Sequence, residues 1–128
     1  MMIRQTYDPL RAPEPAAWLA LDEDERIRLV EECHRKVKME LPDPRVHATF
    51  HVIVENQIAE GLDPVVRTLQ RLTHEGLDRH DAIHAIGCVL IDHLQDVLSG
   101  AMTKSENESR YFARVEKLTS KRWLRGKW

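Results

Sequence analysis

The clearest helical signal in this chain is the segment His47-Ala48-Thr49-Phe50-His51-Val52-Ile53-Val54-Glu55-Asn56-Gln57. Its two histidines are four residues apart, and on an α-helix that spacing places two imidazoles on one face, one turn apart. Glu55 continues the same stripe by another turn. The sequence therefore predicts an amphipathic helix that begins at the Asp43-Pro44 pair and ends before Gly61.

A second histidine pair lies downstream, in His80-Asp81-Ala82-Ile83-His84. Asp78 precedes it as a predicted N-cap, and regularly spaced apolar residues continue the helical pattern to Gly100. Two helices that each carry histidines four residues apart would offer two ligand edges that a bundle could bring face to face.

The rest of the chain also carries helix-start signals. Pro15 suits the first position of a short helical turn, and Asp22 followed by Glu25 resembles a capping pattern ahead of a helix that runs to about Met39. Asp63-Pro64 predicts another N-cap, and Ser105-Glu106-Asn107-Glu108 matches a capping box. Nowhere does the alternating period of a strand occur. These signals predict an all-α fold with about five main helices in a compact bundle or short helical array, with antiparallel neighbours.

Length and composition predict one domain. The chain has 128 residues, of which 42% are hydrophobic, and we expect an extended arm over residues 1–14, a helical domain over 15–120 and a basic, tryptophan-containing tail over 121–128. The formal net charge is only -2 although 31% of residues are charged, so no overall field points to nucleic acid or to a membrane surface. Two cysteines, Cys33 and Cys88, are too few for a disulfide framework. With no signal-peptide pattern at residues 1–5, we expect a cytoplasmic location.

The histidines indicate a metal site. Neutral imidazole is a ligand for zinc, iron or nickel, and a carboxylate extends the choice to manganese. We take His47, His51, His80 and His84 as candidate ligands and add His34, which follows Glu31 with the Glu-x-x-His spacing of di-metal carboxylate bundles. Glu55 is the candidate catalytic residue, as a base or as an orienter of a ligand. Because free imidazoles take up protons at about pH 6.5, metal binding should weaken on acidification through that pH.

The competing interpretation is a non-catalytic protein-interaction module whose histidines only connect the helices. Under it, Glu55 and Asp81 lie on solvated helix faces. His74 and His93 receive no site role, and His93 is expected on an exposed flank. A protein partner or a homo-oligomer is compatible with either interpretation. Nucleic-acid binding by the basic tail is the least favoured alternative, because a terminal arm that packs its tryptophans onto the bundle explains that composition equally well.

The segments Leu41-Pro42, His47 to Gln57 and Gly76 to Gly87 resemble a family of small bacterial proteins of unknown function. In that family a histidine pair ahead of a Glu-x-Gln element (H-x-x-x-H-x-x-x-E-x-Q) is followed by a second pair on a later helix (R-H-D-A-I-H). The resemblance covers about residues 30–95. It implies an all-helical fold in which the paired histidines belong together, and it implies no particular reaction.

Overall fold

The structure is a computed structural model that describes residues 6–36, 43–100 and 103–128. Within those ranges the chain forms seven helices and no strand: α1 (Pro15–Ala20), α2 (Glu23–Lys36), α3 (Pro44–Ala59), α4 (Asp63–His74), α5 (Arg79–Ser99), α6 (Lys104–Lys117) and α7 (Ser120–Leu124). The predicted all-α class is confirmed. The number of helices is larger than the predicted five, and the antiparallel arrangement and the division into arm, domain and tail stay predictions. In the described ranges, none of the helices has the length and apolar character needed to cross a membrane.

Several predicted helix starts are correct. Asp22 accepts from the backbone N–H of Glu25 at 2.9 Å, Asp43 caps α3 through the N–H of Val46, and Asp78 caps α5 through the N–H of Asp81. Helices α3 and α4 end two residues before Gly61 and Gly76, whose φ angles of 72° and 110° explain why glycine follows each helix. The predicted end of α2 near Met39 lies outside the described residues.

Two predicted caps are wrong. The N-cap of α4 is Leu62, without a side-chain cap bond, and Asp63 is the first helical residue, where its carboxylate only suits the helix dipole. The turn after Gly61 makes the carbonyl of Leu62 the first acceptor of the helix. The N-cap of α6 is Thr103, which accepts from the N–H of Glu106, and Ser105 lies inside the helix. The sequence offers a Ser/Thr-x-x-Glu pattern at both Thr103 and Ser105, so the pattern alone did not discriminate between them.

Helix α3 connects two hydrophobic clusters. Ala48 and Val52 belong to a cluster that includes Trp18 of α1 and the buried face of α2, whereas Val54 belongs to a larger cluster built from α4, α5 and α6. Because α3 packs against both α2 and α5, side chains from these three helices can meet at one point between the two clusters.

Candidate metal centre

Five histidines from three helices meet beside α3. His34 comes from α2, His47 and His51 from α3, and His80 and His84 from α5. The ring of His34 lies 4.8–5.6 Å, between ring centroids, from each of the other four rings. Every histidine that the sequence proposed as a ligand therefore lies in this group, which we call the histidine cluster.

The nitrogen atoms of the histidine cluster are close enough to share an ion. The Nε2 atoms of His34 and His80 are 3.3 Å apart, and those of His47 and His84 are 3.2 Å apart. Two nitrogens on a tetrahedral ion with bonds of 2.0–2.1 Å would be about 3.3 Å apart.

Four members of the cluster form a tighter set, the quartet: His34, His51, His80 and His84. Their ligand atoms all lie within 4.8 Å of one another. Some point is therefore no more than about 2.9 Å from all four, compared with a zinc–nitrogen bond of 2.0–2.1 Å. Inward shifts of about 1 Å or less would bring all four onto one ion.

The helices explain why the quartet forms. Residues four apart on α3 and on α5 each present one edge of imidazoles, and these two helices pack against each other. Val52 and Val54 are fully buried around His51, and Ala82, Ile83 and Ala85 are fully buried beside His80 and His84. Apolar packing on both sides thus holds the helical segments that carry the histidines.

Burial keeps the histidine cluster neutral. Burial, reinforced by the neighbouring imidazoles, lowers the pKa of His34 to about 4 and that of His84 to about 3. The pKa of His51 is held well below its ordinary value mainly by burial, and burial also lowers the pKa values of His47 and His80. A neutral imidazole carries one free lone pair, so each ring can act as a ligand. Protons should then compete with a metal at a pH below the predicted 6.5.

Two buried nitrogen atoms have no hydrogen-bond partner within the described part of the chain. They are Nδ1 of His34 and Nδ1 of His51, on side chains that are each 2% exposed. Buried polar atoms are nearly always paired, because leaving one unpaired costs about 1–3 kcal/mol. These two atoms point to a partner that the described residues do not provide.

A chain of hydrogen bonds fixes the ring of His51. The Tyr7 hydroxyl lies 2.7 Å from His51 Nε2 and donates to Oε2 of Glu55. The hydroxyl has one proton, which goes to the carboxylate, so His51 Nε2 must donate its own proton to the Tyr7 oxygen. This tautomer leaves the lone pair of His51 on the buried, unpartnered Nδ1, where an ion could take it.

Glu55 itself is held by Arg79. The two guanidinium nitrogens of Arg79 lie 2.5 Å from Oε1 and 3.0 Å from Oε2 of Glu55, and Arg79 also donates to the carbonyl of Pro9 at 3.0 Å. Glu55 is 1% exposed, so its placement on a solvated helix face is wrong. The carboxylate was predicted from its spacing after His51, but its bidentate partner Arg79 and the aromatic partner Tyr7 were not.

Other predicted positions lie outside the histidine cluster. Asp81 is exposed, as expected, and His74, which received no site role, is exposed as well. The expectation of an exposed His93 is wrong: it is 5% exposed, its Nε2 bonds to Asn107 of α6, and its ring lies 5.5 Å from that of Tyr111. The prediction that His93 lies apart from the cluster is correct, because it is 13 residues beyond His80 on α5. It is buried because α6 packs over it.

Comparisons of this chain with family models, with curated proteins and with solved structures found no match. The resemblance to a bacterial family therefore stays a prediction.

Proposed function

We propose that this protein binds a divalent transition-metal ion with the quartet His34, His51, His80 and His84. The observation that carries this proposal is the convergence of four neutral imidazoles from three helices, with ligand atoms within 4.8 Å of one another. The orphaned Nδ1 atom of His51 supports it independently, because an ion bound there would satisfy it.

The donor set favours zinc, nickel or ferrous iron over manganese. All four proposed ligands are imidazoles, which suit the later transition metals, whereas manganese prefers oxygen ligands. The nearby carboxylate of Glu55 is not free to bind, because both of its oxygens accept from Arg79 and one also accepts from Tyr7. Glu55 is accordingly proposed as a positioning residue that acts on His51 through Tyr7, and not as a base.

The metal that is bound would decide between a structural and a catalytic role. A tetrahedral zinc ion held by all four histidines would have no open position and would only stabilise the fold. A six-coordinate ferrous or nickel ion would keep two positions open, where a bound water could be activated for hydrolysis. Iron would also permit redox chemistry.

The proposal is tested by melting experiments on protein purified without an affinity tag and stripped with chelator. An ion that binds only the folded state at a hundredfold excess over its Kd should stabilise it by about 2.7 kcal/mol, seen as a rise in Tm. Replacement of His51 or His84 by glutamine should abolish that rise, and the double variant should behave like either single one. His93→Gln is the matched control: it changes a buried histidine outside the cluster and should keep the full rise.

A structural role for the histidines is the second candidate. The Nε2 separations of 3.2 and 3.3 Å also fit hydrogen bonds between neutral rings, which would simply join α2 and α3 to α5. That role predicts an unchanged Tm with zinc, nickel, ferrous iron and manganese, and a loss of stability in each variant that no metal influences. Such a result would leave an interaction module as the better description.

A further inference from the structure

A small pocket adjoins the histidine cluster on the side of α7. It has a volume of about 220 Å³, and one of its walls is formed by His47, His51 and His84. The wall thus contains two members of the quartet and the histidine that contacts His84. A molecule in the pocket would therefore contact two of the four proposed ligands, His51 and His84.

The remaining walls are mostly apolar. They are formed by Phe50, Gly87, Cys88, Ile91 and Trp123. Trp123 comes from α7, which packs against α5 and so covers the pocket from outside. The three histidines line one side of the pocket, so an amphipathic ligand would orient its polar end towards them.

Gly87 shows that the space is not needed by the chain itself. It lies in the interior of α5, one turn after His84, where glycine is less favourable than alanine. A buried glycine in a helix usually allows a neighbouring element to approach its backbone closely. Gly87 is buried, but a Cβ built on it meets nothing within 4 Å. The absent side chain leaves room inside the pocket.

The volume and charge define the class of ligand. An apolar cavity of about 150 Å³ holds one benzene molecule, so 220 Å³ holds a single ring with a small head group. A divalent ion on neutral imidazoles keeps its full positive charge, which attracts an anion. We propose that the pocket binds a single-ring aromatic molecule whose anionic head coordinates the metal at an open position. This inference rests on the proposed metal site.

The test compares two probes on the nickel-loaded full chain. Acetohydroxamate and benzohydroxamate share a metal-coordinating head and differ only in a methyl or a phenyl group. Burying the ring should make benzohydroxamate bind tenfold to a hundredfold more tightly by calorimetry. Gly87→Leu should remove most of this preference by filling the pocket, and Gly87→Ala should reduce it by an intermediate factor. Gln95→Leu places the same side chain on an exposed position of α5 and should preserve the preference.

The nickel content of every sample separates the possible failures. A wild-type protein that holds no nickel would overturn the metal site and this inference together. A nickel-loaded protein that binds both probes equally would overturn the inference alone and assign the pocket to water. A preference that survives both Gly87 variants would also overturn it, because the ring would then lie elsewhere. If Gly87→Leu does not fold, the alanine variant decides, since its added methyl group meets no neighbouring atom.

Discussion

Replacing Tyr7 by phenylalanine tests the hydrogen-bond chain that fixes His51. The change removes one hydroxyl from a side chain that is 9% exposed and leaves the ring in place against Trp18. Glu55 keeps both contacts with Arg79, but His51 loses the acceptor of its buried Nε2–H. An unpaired buried donor costs about 1–3 kcal/mol, and loss of a partner that orients a metal-bound histidine typically weakens metal affinity by about 10- to 100-fold.

The measurement has two parts. Urea unfolding of the metal-free variant gives the loss of stability, and competition with a chelating dye gives its affinity for zinc and nickel. Tyr111→Phe is a matched control, because Tyr111 is also buried, at 6% exposed, and its hydroxyl donates to Gln57 at 2.7 Å, away from the histidine cluster. The control should lose stability by a similar amount and bind metal as tightly as the wild type.

The comparison of metal affinity between the two variants decides whether Tyr7 orients His51. If Tyr7→Phe and Tyr111→Phe lose stability alike and both retain wild-type metal affinity, the hydroxyl of Tyr7 does not set the lone pair of His51. The inferred tautomer would then be wrong, even if the quartet binds an ion.

Three further predictions concern stability. First, the two histidines with pKa values of about 4 and about 3 are neutral in the folded protein at pH values where the unfolded chain protonates them. The stability that these two neutral histidines contribute to metal-free protein should therefore be complete above about pH 6.5. Below that pH the unfolding free energy should fall by up to about 1.4 kcal/mol per pH unit for each histidine. Urea midpoints that stay level from pH 7 to 4.5 would contradict this. Second, Glu55→Gln should destabilise the protein by about 3–5 kcal/mol in the same assay, because it leaves the charge of Arg79, whose side chain is only 11% exposed, without its carboxylate partner; a loss below 1 kcal/mol would refute the importance of the pair. Third, Asp43→Ala and Asp78→Ala should each cost about 1 kcal/mol and Asp63→Ala clearly less, since only the first two side chains cap a helix; equal losses would count against the assigned caps.

Local signals in the sequence predicted most of the helix positions. Proline, aspartate and glycine mark helix boundaries through backbone chemistry that acts within a few residues, so α3 and α5 were predicted close to their observed bounds. The cap of α6 was not, because two overlapping Ser/Thr-x-x-Glu patterns satisfy the same rule, and the observed cap is the first of them, Thr103.

The site was predictable only where its residues follow a helical period. Spacing of four identified the histidine pairs on α3 and α5. Tyr7 lies in a segment without periodicity, and nothing in its local sequence indicates that its hydroxyl reaches Glu55, 48 residues away. The space beside Gly87 was equally hidden, since a glycine in a helix gives no sign of whether its neighbours are close or distant. Both features depend on how the helices pack, which pattern reasoning does not provide.

The contact of Arg79 with the carbonyl of Pro9 joins residues 70 positions apart. During protein synthesis the segment with Tyr7 therefore leaves the ribosome long before the helix that retains it. At about 5–20 residues per second, some 4–15 s pass between the synthesis of Tyr7 and that of His80. Until then His34 and His51 can meet each other but not the ligands of α5. An ion captured by the full quartet is thus acquired only after α5 has been synthesised, so metal supply would act on a chain in which α1 to α5 are already present.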